Sequence, residues 1–166
     1  NWLPSVARES IGIGESDTEI DLFTLLKESF RQRPDYVIVG EIRGKEAYVL
    51  FQGAASGHPT MSTMHAEDVE TMIKRLETPP ISLSPSLIEI LDTVCIMTQA
   101  KVKNNEVRRL REVAEVIGIG RGLGDVAKNT PFIWEPRTDT FFFKIESKVF
   151  EKIMRNRGLS KEYIER

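Results

Sequence analysis

The spacing of apolar residues predicts alternating helices and strands in the first half of the chain. Apolar residues recur at helical intervals over residues 21–31, which predicts a helix that Pro34 stops. A short apolar run over residues 36–39 then predicts a buried parallel strand, and a small-residue segment predicts a second helix over residues 45–56. Gly57 is expected to cap the C-terminus of that helix. The apolar positions of the first helix are Leu22, Leu25, Leu26 and Phe30.

The pattern continues with a second strand and two further helices. Residues 60–64 predict the strand, and apolar residues at helical spacing predict an amphipathic helix that ends before Pro79. Ser84 is a helix N-cap followed by Pro85 in the first turn, so a short helix is expected through Leu91. Strands that alternate with helices in this way indicate an α/β fold. The apolar positions of the amphipathic helix are Val69, Met72, Ile73 and Leu76.

The second half of the chain is dominated by strand patterns. Residues 92–103 and 106–117 predict two strands joined by a tight turn. Aromatic strands around residues 133–134 and 141–143 flank a second turn, and a helix is expected from about Lys148. These elements predict a C-terminal portion made of hairpins and helix.

The composition is that of a globular protein with a single core of ordinary size. Of 166 residues, 40% are apolar and 29% are charged, and the formal net charge is −2. A negative balance argues against nucleic acid as the main partner, and no stretch approaches the roughly 20 apolar residues that span a bilayer. Cys95 is the single cysteine, and its apolar neighbours predict a buried thiol on a strand. These features fit a cytosolic protein.

Both ends of the sequence are unusual for a complete protein. The chain starts with Asn1 instead of an initiator methionine, and residues 160–166 resemble the start of a helix. We therefore expect the sequence to be a piece of a longer protein. Residues 1–17 are expected to form a loop or an edge segment.

A single carboxylate follows the first predicted strand. Glu41 comes directly after Gly40, at the end of a parallel strand where α/β sheets place their ligands. In the hydrolysis of nucleoside triphosphates, a carboxylate in this position can hold Mg²⁺ through water or orient the attacking water. A carboxylate that caps the next helix is the commoner explanation when the residue is considered alone.

A histidine follows the second predicted strand in a similar way. Thr63 and His65 share one side of that strand, so both are expected to face the same site as Glu41. A histidine held by hydrogen bonds for purely structural reasons is the alternative. Its neighbours Ser62 and Glu67 could satisfy it equally well.

Arginines bracket the first strand. Arg31 and Arg33 precede it and Arg43 follows it. Guanidinium groups near a γ-phosphate neutralise the charge that develops during phosphoryl transfer. The alternative is that arginines at the end of a helix complement its dipole.

Two segments at the appropriate separation resemble the motifs of a known family. Residues 26–43 resemble the helix and Walker B segment of the secretion-type NTPases, the hexameric motors of type II and type IV secretion, pili and archaella. Residues 57–65 resemble the histidine box of the same family. Residues 1–118 look like the C-terminal part of the motor domain in the archaeal branch, and residues 119–166 look like an extension of the same domain.

The resemblance implies a RecA-like α/β core, partial because the strand that carries the phosphate loop is missing, with a C-terminal helical and β-hairpin portion. It implies a homo-hexamer that lies in the cytoplasm against the inner face of the cell membrane and binds a membrane platform protein. ATP and Mg²⁺ would drive protein export or the assembly of a pilus or archaellum. Neither a nucleic-acid partner nor a membrane span is expected.

The resemblance also assigns roles to individual residues. Glu41 matches the Walker B glutamate and His65 matches the histidine near the γ-phosphate, so these two are the predicted catalytic residues. Mg²⁺ is expected to be held through water near Glu41, with no direct protein ligand. The predicted nucleotide-binding residues are Arg31, Arg33 and Thr63.

The sequence departs from the family pattern in its phosphate-binding elements. No Gly-x-x-x-x-Gly-Lys-Ser/Thr loop occurs in the 166 residues, and the glycine-rich residues 118–124, which lack the Gly-Lys-Ser/Thr ending, predict a flexible turn. The acidic Asp box and the four-cysteine zinc module of some relatives are also absent. We therefore expect the isolated chain to bind ATP weakly and to hydrolyse it negligibly. The alternative is a non-catalytic docking domain that binds a full-length ATPase or a membrane platform protein. A DNA-transport relative is less consistent with the negative charge.

Overall fold

The computed structural model describes residues 2–7 and 21–164, and most of the loop predicted over residues 1–17 lies outside them. The helices of the described residues are α1 (Leu22–Arg31), α2 (Glu46–Ala55), α3 (Val69–Glu77), α4 (Pro85–Ile88), α5 (Lys148–Arg157) and α6 (Lys161–Ile164). The strands are β1 (Val37–Val39), β2 (Thr60–Ser62), β3 (Thr93–Val102), β4 (Asn105–Ile119), β5 (Val126–Glu135) and β6 (Thr140–Phe143).

The chain divides into two compact units. The first consists of Asn1–His65 and Arg75–Ile90, and the second consists of Ala66–Lys74 and Leu91–Arg166. The predicted boundary after residue 118 stays a prediction, although β4 continues through it to Ile119.

The first unit contains a parallel strand pair. In it β1 lies beside β2, with Val37 opposite Thr60 and Val39 opposite Ser62. Helices α1 and α2 of the same unit flank β1 along the sequence and contact each other. This is the strand–helix–strand order that the apolar spacing predicted.

Helices α1 and α2 begin, end and pack for identifiable reasons. The Asp21 carboxylate accepts a hydrogen bond from the backbone N–H of Thr24 at 2.8 Å and caps α1. The ring of Phe30, near the end of α1, lies against Gly53 of α2, where a side chain would collide with it. Gly57 follows α2 with a φ of +88°, a conformation that glycine adopts freely and that ends the helix as predicted.

Strand β1 is buried on one face. Val37 and Val39 are buried, whereas Ile38 between them is 52% exposed and Tyr36, the predicted first residue of the strand, is 63% exposed. The parallel pairing predicted from this run is confirmed, but its uniform burial is wrong. An unbroken apolar run does not reveal whether one face or both faces of a strand are covered.

Two elements of this unit are shorter than predicted. Strand β2 ends at Ser62, so Thr63 and His65 follow the strand instead of lying on it. The reason is that β1 has only 3 residues and offers no longer partner. Helix α4 ends at Ile88, before the predicted end at Leu91.

The second unit contains an antiparallel sheet with the strand order β3-β4-β5-β6. The turn between β5 and β6 is held by Asp139, whose carboxylate accepts hydrogen bonds from the Arg109 guanidinium at 2.7 and 2.8 Å and from Trp134 Nε1 at 2.9 Å. The hairpin strands predicted here are confirmed. Strand β5 begins at Val126, well before the predicted residue 133. The glycine-rich segment is strand up to Ile119 and a turn only beyond it.

Cys95 lies on β3, as predicted, but its side chain is exposed instead of buried. Its neighbours Val94 and Ile96 are buried, and the alternation of a strand then turns Cys95 outward. An apolar run such as residues 94–97 does not show whether one face or both faces of the strand are covered.

The predicted fold class is confirmed. The described residues form an α/β structure with a parallel strand pair followed by a C-terminal portion of antiparallel strands and helices.

Candidate active site

The loop between β1 and α2 carries the predicted carboxylate. Glu41 lies two residues beyond Val39, the last residue of β1, and its side chain is 25% exposed. Ile42 is buried, and its backbone N–H donates a hydrogen bond to the carbonyl oxygen of Thr63 at 3.0 Å. The buried Ile42 side chain and this hydrogen bond hold Glu41 at the C-terminal end of the parallel strands.

A second carboxylate fixes the far side of the loop. Oε1 of Glu46, the first residue of α2, accepts hydrogen bonds from the backbone N–H groups of Arg43 at 2.5 Å and Gly44 at 2.8 Å. These donors have no partner within a helix at this point, so Glu46 satisfies them and ties the loop to α2. Within the described residues, Glu41 itself makes no capping hydrogen bond to α2, whose N-cap residue is Lys45, and the loop N–H groups are bound by Glu46.

The Glu41 carboxylate contacts two basic side chains. Nη2 of Arg43 lies 2.5 Å from Oε2 of Glu41, and Nε2 of His65 lies 3.4 Å from its Oε1. The arginine makes a charge-assisted hydrogen bond, which is the stronger of these contacts. Each carboxylate oxygen therefore faces a different nitrogen.

These contacts keep Glu41 ionised. The hydrogen bond from Arg43 is the main influence and lowers the pKa of Glu41 below its usual value of 4.5, against a smaller opposing effect of desolvation. The positive charge of Arg43 and the charge of His65 lower this pKa further. At neutral pH the side chain is a carboxylate that can accept hydrogen bonds from water.

The segment after β2 also lies beside Glu41, but loop contacts place it there instead of the strand pairing that was predicted. His65 is 85% exposed, and its carbonyl oxygen accepts a hydrogen bond from the guanidinium of Arg75 on α3. The Thr63 hydroxyl donates to the carbonyl oxygen of Gly40. The structure thus brings Glu41, Thr63 and His65 together by loop contacts, although neither Thr63 nor His65 is a strand residue.

The side chains of Glu41 and His65 border a depression with a volume of about 410 Å³. Its polar lining comes from four charged or ionisable side chains, and apolar side chains and the Thr78–Ile81 segment complete it. The lining residues are Glu41, Ile42, Arg43, Met64, His65, Arg75, Thr78, Pro79, Pro80 and Ile81.

Two residues of this site were missed from the sequence. Glu46 could have been identified as an acidic residue in the first turn of a predicted helix, where the helix dipole favours a carboxylate. Arg75 had no such signal, since its contact with His65 depends on how α3 is placed.

The predicted phosphate-binding arginines lie elsewhere in the first unit. Arg31 ends α1, is 70% exposed and pairs with Glu28 at 3.5 Å, while Arg33 has a left-handed φ of 52° just beyond α1. Within residues 21–164, no hydrogen bond joins either guanidinium to Glu41 or His65, and neither lines the depression. The position of Arg31 in the last turn also suits the helix-dipole alternative.

The described part of the chain offers no direct metal cage. Residues 2–7 and 21–164 contain no group of three or more His, Cys, Asp or Glu side chains arranged to hold an ion. In the same residues, no helix combines the length and the apolar character needed to cross a bilayer.

The geometry defines an α/β protein in which the segments after two parallel strands place a carboxylate beside an imidazole. The chain belongs to the type II/IV secretion system protein family, whose sequence model matches residues 5–122. The family predicted from residues 26–43 and 57–65 is confirmed.

Two relatives illustrate the extent of the match. The uncharacterized protein MJ1287 of Methanocaldococcus jannaschii is 37% identical over 99% of this chain and 60% of its own length. The conjugal transfer protein TrbB of Rhizobium radiobacter is 32% identical over 68% of this chain and 35% of its own length. The chain thus spans only part of the length of the relatives it matches.

A solved structure shows a partial similarity. The VirB11 ATPase from the Brucella suis type IV secretion system, in complex with sulphate, is 27% identical, with a TM-score of 0.49, over 58% of this chain and 32% of that chain.

Proposed function

We propose that Glu41, Thr63 and His65 form the Walker B and histidine-box part of the ATP-hydrolysis site of a secretion-type ATPase. The observation that carries the proposal is the 3.4 Å separation between Nε2 of His65 and Oε1 of Glu41, both beyond the C-terminal ends of a parallel strand pair. In α/β proteins this edge is where ligands bind. The motor would use ATP to drive protein export or the assembly of a pilus or archaellum.

Glu41 is the residue proposed to act on the attacking water. It is ionised, it is held by contacts on both sides of its loop, and it borders a depression that is open to solvent. A positioned carboxylate can orient a water molecule and accept its proton during phosphoryl transfer. Arg43 occupies Oε2, so the attacking water is proposed to approach Oε1, on the side that faces His65.

His65 and Thr63 are proposed to lie near the γ-phosphate. The imidazole is largely exposed and contacts the same carboxylate, so a phosphate bound in the depression would meet it directly. Thr63 positions Gly40 through its hydroxyl proton, and the oxygen keeps lone pairs that can accept from a bound water. Arg31 and Arg33 are proposed to contact phosphates as well. Neither lines the depression, so these contacts would be to a part of the nucleotide that extends beyond it.

Mg²⁺ is proposed to be held at this site through water. One oxygen of Glu41 is occupied by Arg43, and no three-carboxylate or carboxylate–histidine cage exists in the described residues. Mg²⁺ keeps several waters and takes other ligands from the phosphates, so a single ionised carboxylate suffices in the outer sphere. When bound, the ion would neutralise charge on the phosphate oxygens.

We further propose that the protein works as a homo-hexamer at the cytoplasmic face of the membrane, together with a membrane platform protein. The support is membership of the type II/IV secretion system protein family. The similarity to a conjugal transfer protein adds a conjugation machine to the systems that such a motor could serve.

The proposal is tested by comparing ATP turnover of the 166-residue chain with that of the full-length protein. We expect turnover in the full-length protein and negligible turnover in the chain alone, because the chain contains no Gly-x-x-x-x-Gly-Lys-Ser/Thr loop. If the full-length protein binds no ATP and turns none over, a non-catalytic docking domain for a full-length ATPase or a platform protein becomes the better explanation.

A further inference from the structure

The position of His65 depends on few contacts. Strand β2 ends at Ser62, so His65 gains nothing from strand pairing, and its side chain is 85% exposed. Two hydrogen bonds hold Thr63, one from Ile42 N and one to the Gly40 carbonyl. At His65 itself, the main-chain contact is the hydrogen bond that its carbonyl oxygen accepts from Arg75.

Arg75 is well suited to such a role. It lies near the end of α3, beside the fully buried Leu76, so its backbone is anchored in the core of the first unit. Its guanidinium is exposed and borders the same depression as His65 and Glu41. A planar guanidinium offers donors in fixed directions, which makes it a rigid tether for a carbonyl oxygen.

We propose that Arg75 is a positioning residue, which places the His65 imidazole beside Glu41 by holding the His65 main chain. This inference rests on the proposed function, because it assigns a supporting residue to the same site. A displacement of about 1 Å in a group near the reacting atoms can cost roughly a hundredfold in rate. Tethering His65 from a helix whose apolar side is buried through Val69, Ile73 and Leu76 prevents such a displacement.

The test is a double-mutant cycle in the full-length protein, with Arg75→Gln, His65→Ala and the two combined. We expect Arg75→Gln to lower kcat for ATP hydrolysis about tenfold with little change in KM. In the His65→Ala background the same substitution should change kcat by less than about twofold, because residues that act through one another are not additive. Arg75→Lys should retain part of the activity, since lysine can still donate to the carbonyl.

Equal losses in both backgrounds, or a loss that appears in KM, would overturn the proposal and indicate that Arg75 contacts the nucleotide directly. Arg121→Gln is the matched control, because Arg121 is an exposed arginine outside the depression. It should leave kcat unchanged.

A second measurement does not depend on turnover. Hydrogen exchange of the peptide containing residues 63–68 in the full-length protein should become faster in Arg75→Gln and stay unchanged in Arg121→Gln. Unchanged exchange in Arg75→Gln would overturn the positioning role even in an active enzyme. Faster exchange in a protein without ATP turnover would support the tether and reject the proposed function.

Discussion

Nη2 of Arg43 lies 2.5 Å from Oε2 of Glu41, so an arginine two residues further along the chain holds one side of the proposed catalytic carboxylate. The same residue donates its backbone N–H to Glu46, which fixes the loop between β1 and α2. Arg43 thus contacts Glu41 through its side chain and Glu46, the first residue of α2, through its backbone. From the sequence alone it was one of several arginines with an alternative explanation.

Replacing Arg43 should alter the pH dependence of turnover. The hydrogen bond from Arg43 lowers the pKa of Glu41, so the active carboxylate is lost only when the pH falls through this lowered value. In Arg43→Gln the pKa of Glu41 should rise towards 4.5, and the acid limb of the kcat profile should move to higher pH. The measurement is kcat for ATP as a function of pH in the full-length protein.

The control is Arg43→Lys, which keeps a positive charge near Glu41 and should shift the profile less. His65 also faces this carboxylate, so both substitutions should be repeated with His65→Gln. An acid limb that stays in place in Arg43→Gln would show that Glu41 does not set it.

Removing the Thr63 hydroxyl should weaken turnover moderately. In Thr63→Val the donor to the carbonyl oxygen of Gly40 is lost while the side-chain shape is nearly kept. A neutral hydrogen bond contributes about 0.5–1.5 kcal/mol, so we expect kcat to fall by about two- to tenfold. The measurement is steady-state ATP turnover of the full-length variant.

Thr63→Ser keeps the hydroxyl and is the matched variant. It should retain most of the activity of the natural protein. If Thr63→Val and Thr63→Ser lose activity equally, the hydroxyl contact with Gly40 is not what matters at this position.

The sequence was sufficient to predict that Glu41 and His65 lie at the same edge of the parallel strands. Each follows a short strand at the end of an α/β unit, and the structure pairs those strands in parallel. Carboxyl ends of parallel strands meet at one edge of a sheet, so the pattern of elements places both residues at that edge, and loop contacts then bring His65 beside Glu41. The helix end at Gly57 was predictable because capping chemistry is local. Asp21, which was placed inside the predicted helix, is the N-cap just before it.

Other features depended on tertiary placement. Whether Ile38 and Cys95 face the core or solvent is decided by what covers each strand face, and an apolar run contains no such information. The contact between Arg75 and His65 depends on how α3 lies relative to the loop after β2. The tertiary structure decides which group a long polar side chain contacts, so no short sequence motif could predict the contact between Arg75 and His65.

A buried carboxylate in the second unit should make its stability depend on acid. Glu115 is 2% exposed, and its oxygens accept hydrogen bonds from Ser147 Oγ, from Asn129 at 2.7 Å and from the backbone N–H groups of Lys148 at 2.8 Å and Val149 at 3.2 Å. Burial raises its pKa, but these hydrogen bonds outweigh burial and bring the pKa below the ordinary value of 4.5.

The direction of the pH effect follows from that lowered pKa. The stabilising contribution of Glu115 is complete above pH 4.5 and is lost as the pH falls through the pKa of the folded state. In Glu115→Gln an amide NH₂ replaces one carboxylate oxygen and must face hydrogen-bond donors. The free energy of unfolding should therefore fall by about 1–3 kcal/mol at pH 7. The difference between the two proteins should shrink at low pH.

Urea unfolding followed by tryptophan fluorescence measures this effect, because Trp134 of the same unit is 6% exposed and Trp2 is 73% exposed in the native state. Glu106→Gln, at an exposed hairpin position, is the control and should not change the midpoint. An unfolding midpoint in Glu115→Gln that equals that of the unsubstituted chain at pH 7 would contradict the proposed contribution of the hydrogen-bonded carboxylate.

The role of Glu41 in hydrolysis is tested first by ATP turnover of the full-length protein carrying Glu41→Gln. Glutamine keeps the size of the side chain but removes the charge that would accept a proton from the attacking water. We expect kcat to fall by about 10²–10⁴-fold while ATP binding is retained, with Glu106→Gln unchanged. Turnover in Glu41→Gln that matches the unsubstituted protein would show that Glu41 is not the carboxylate of the hydrolysis site.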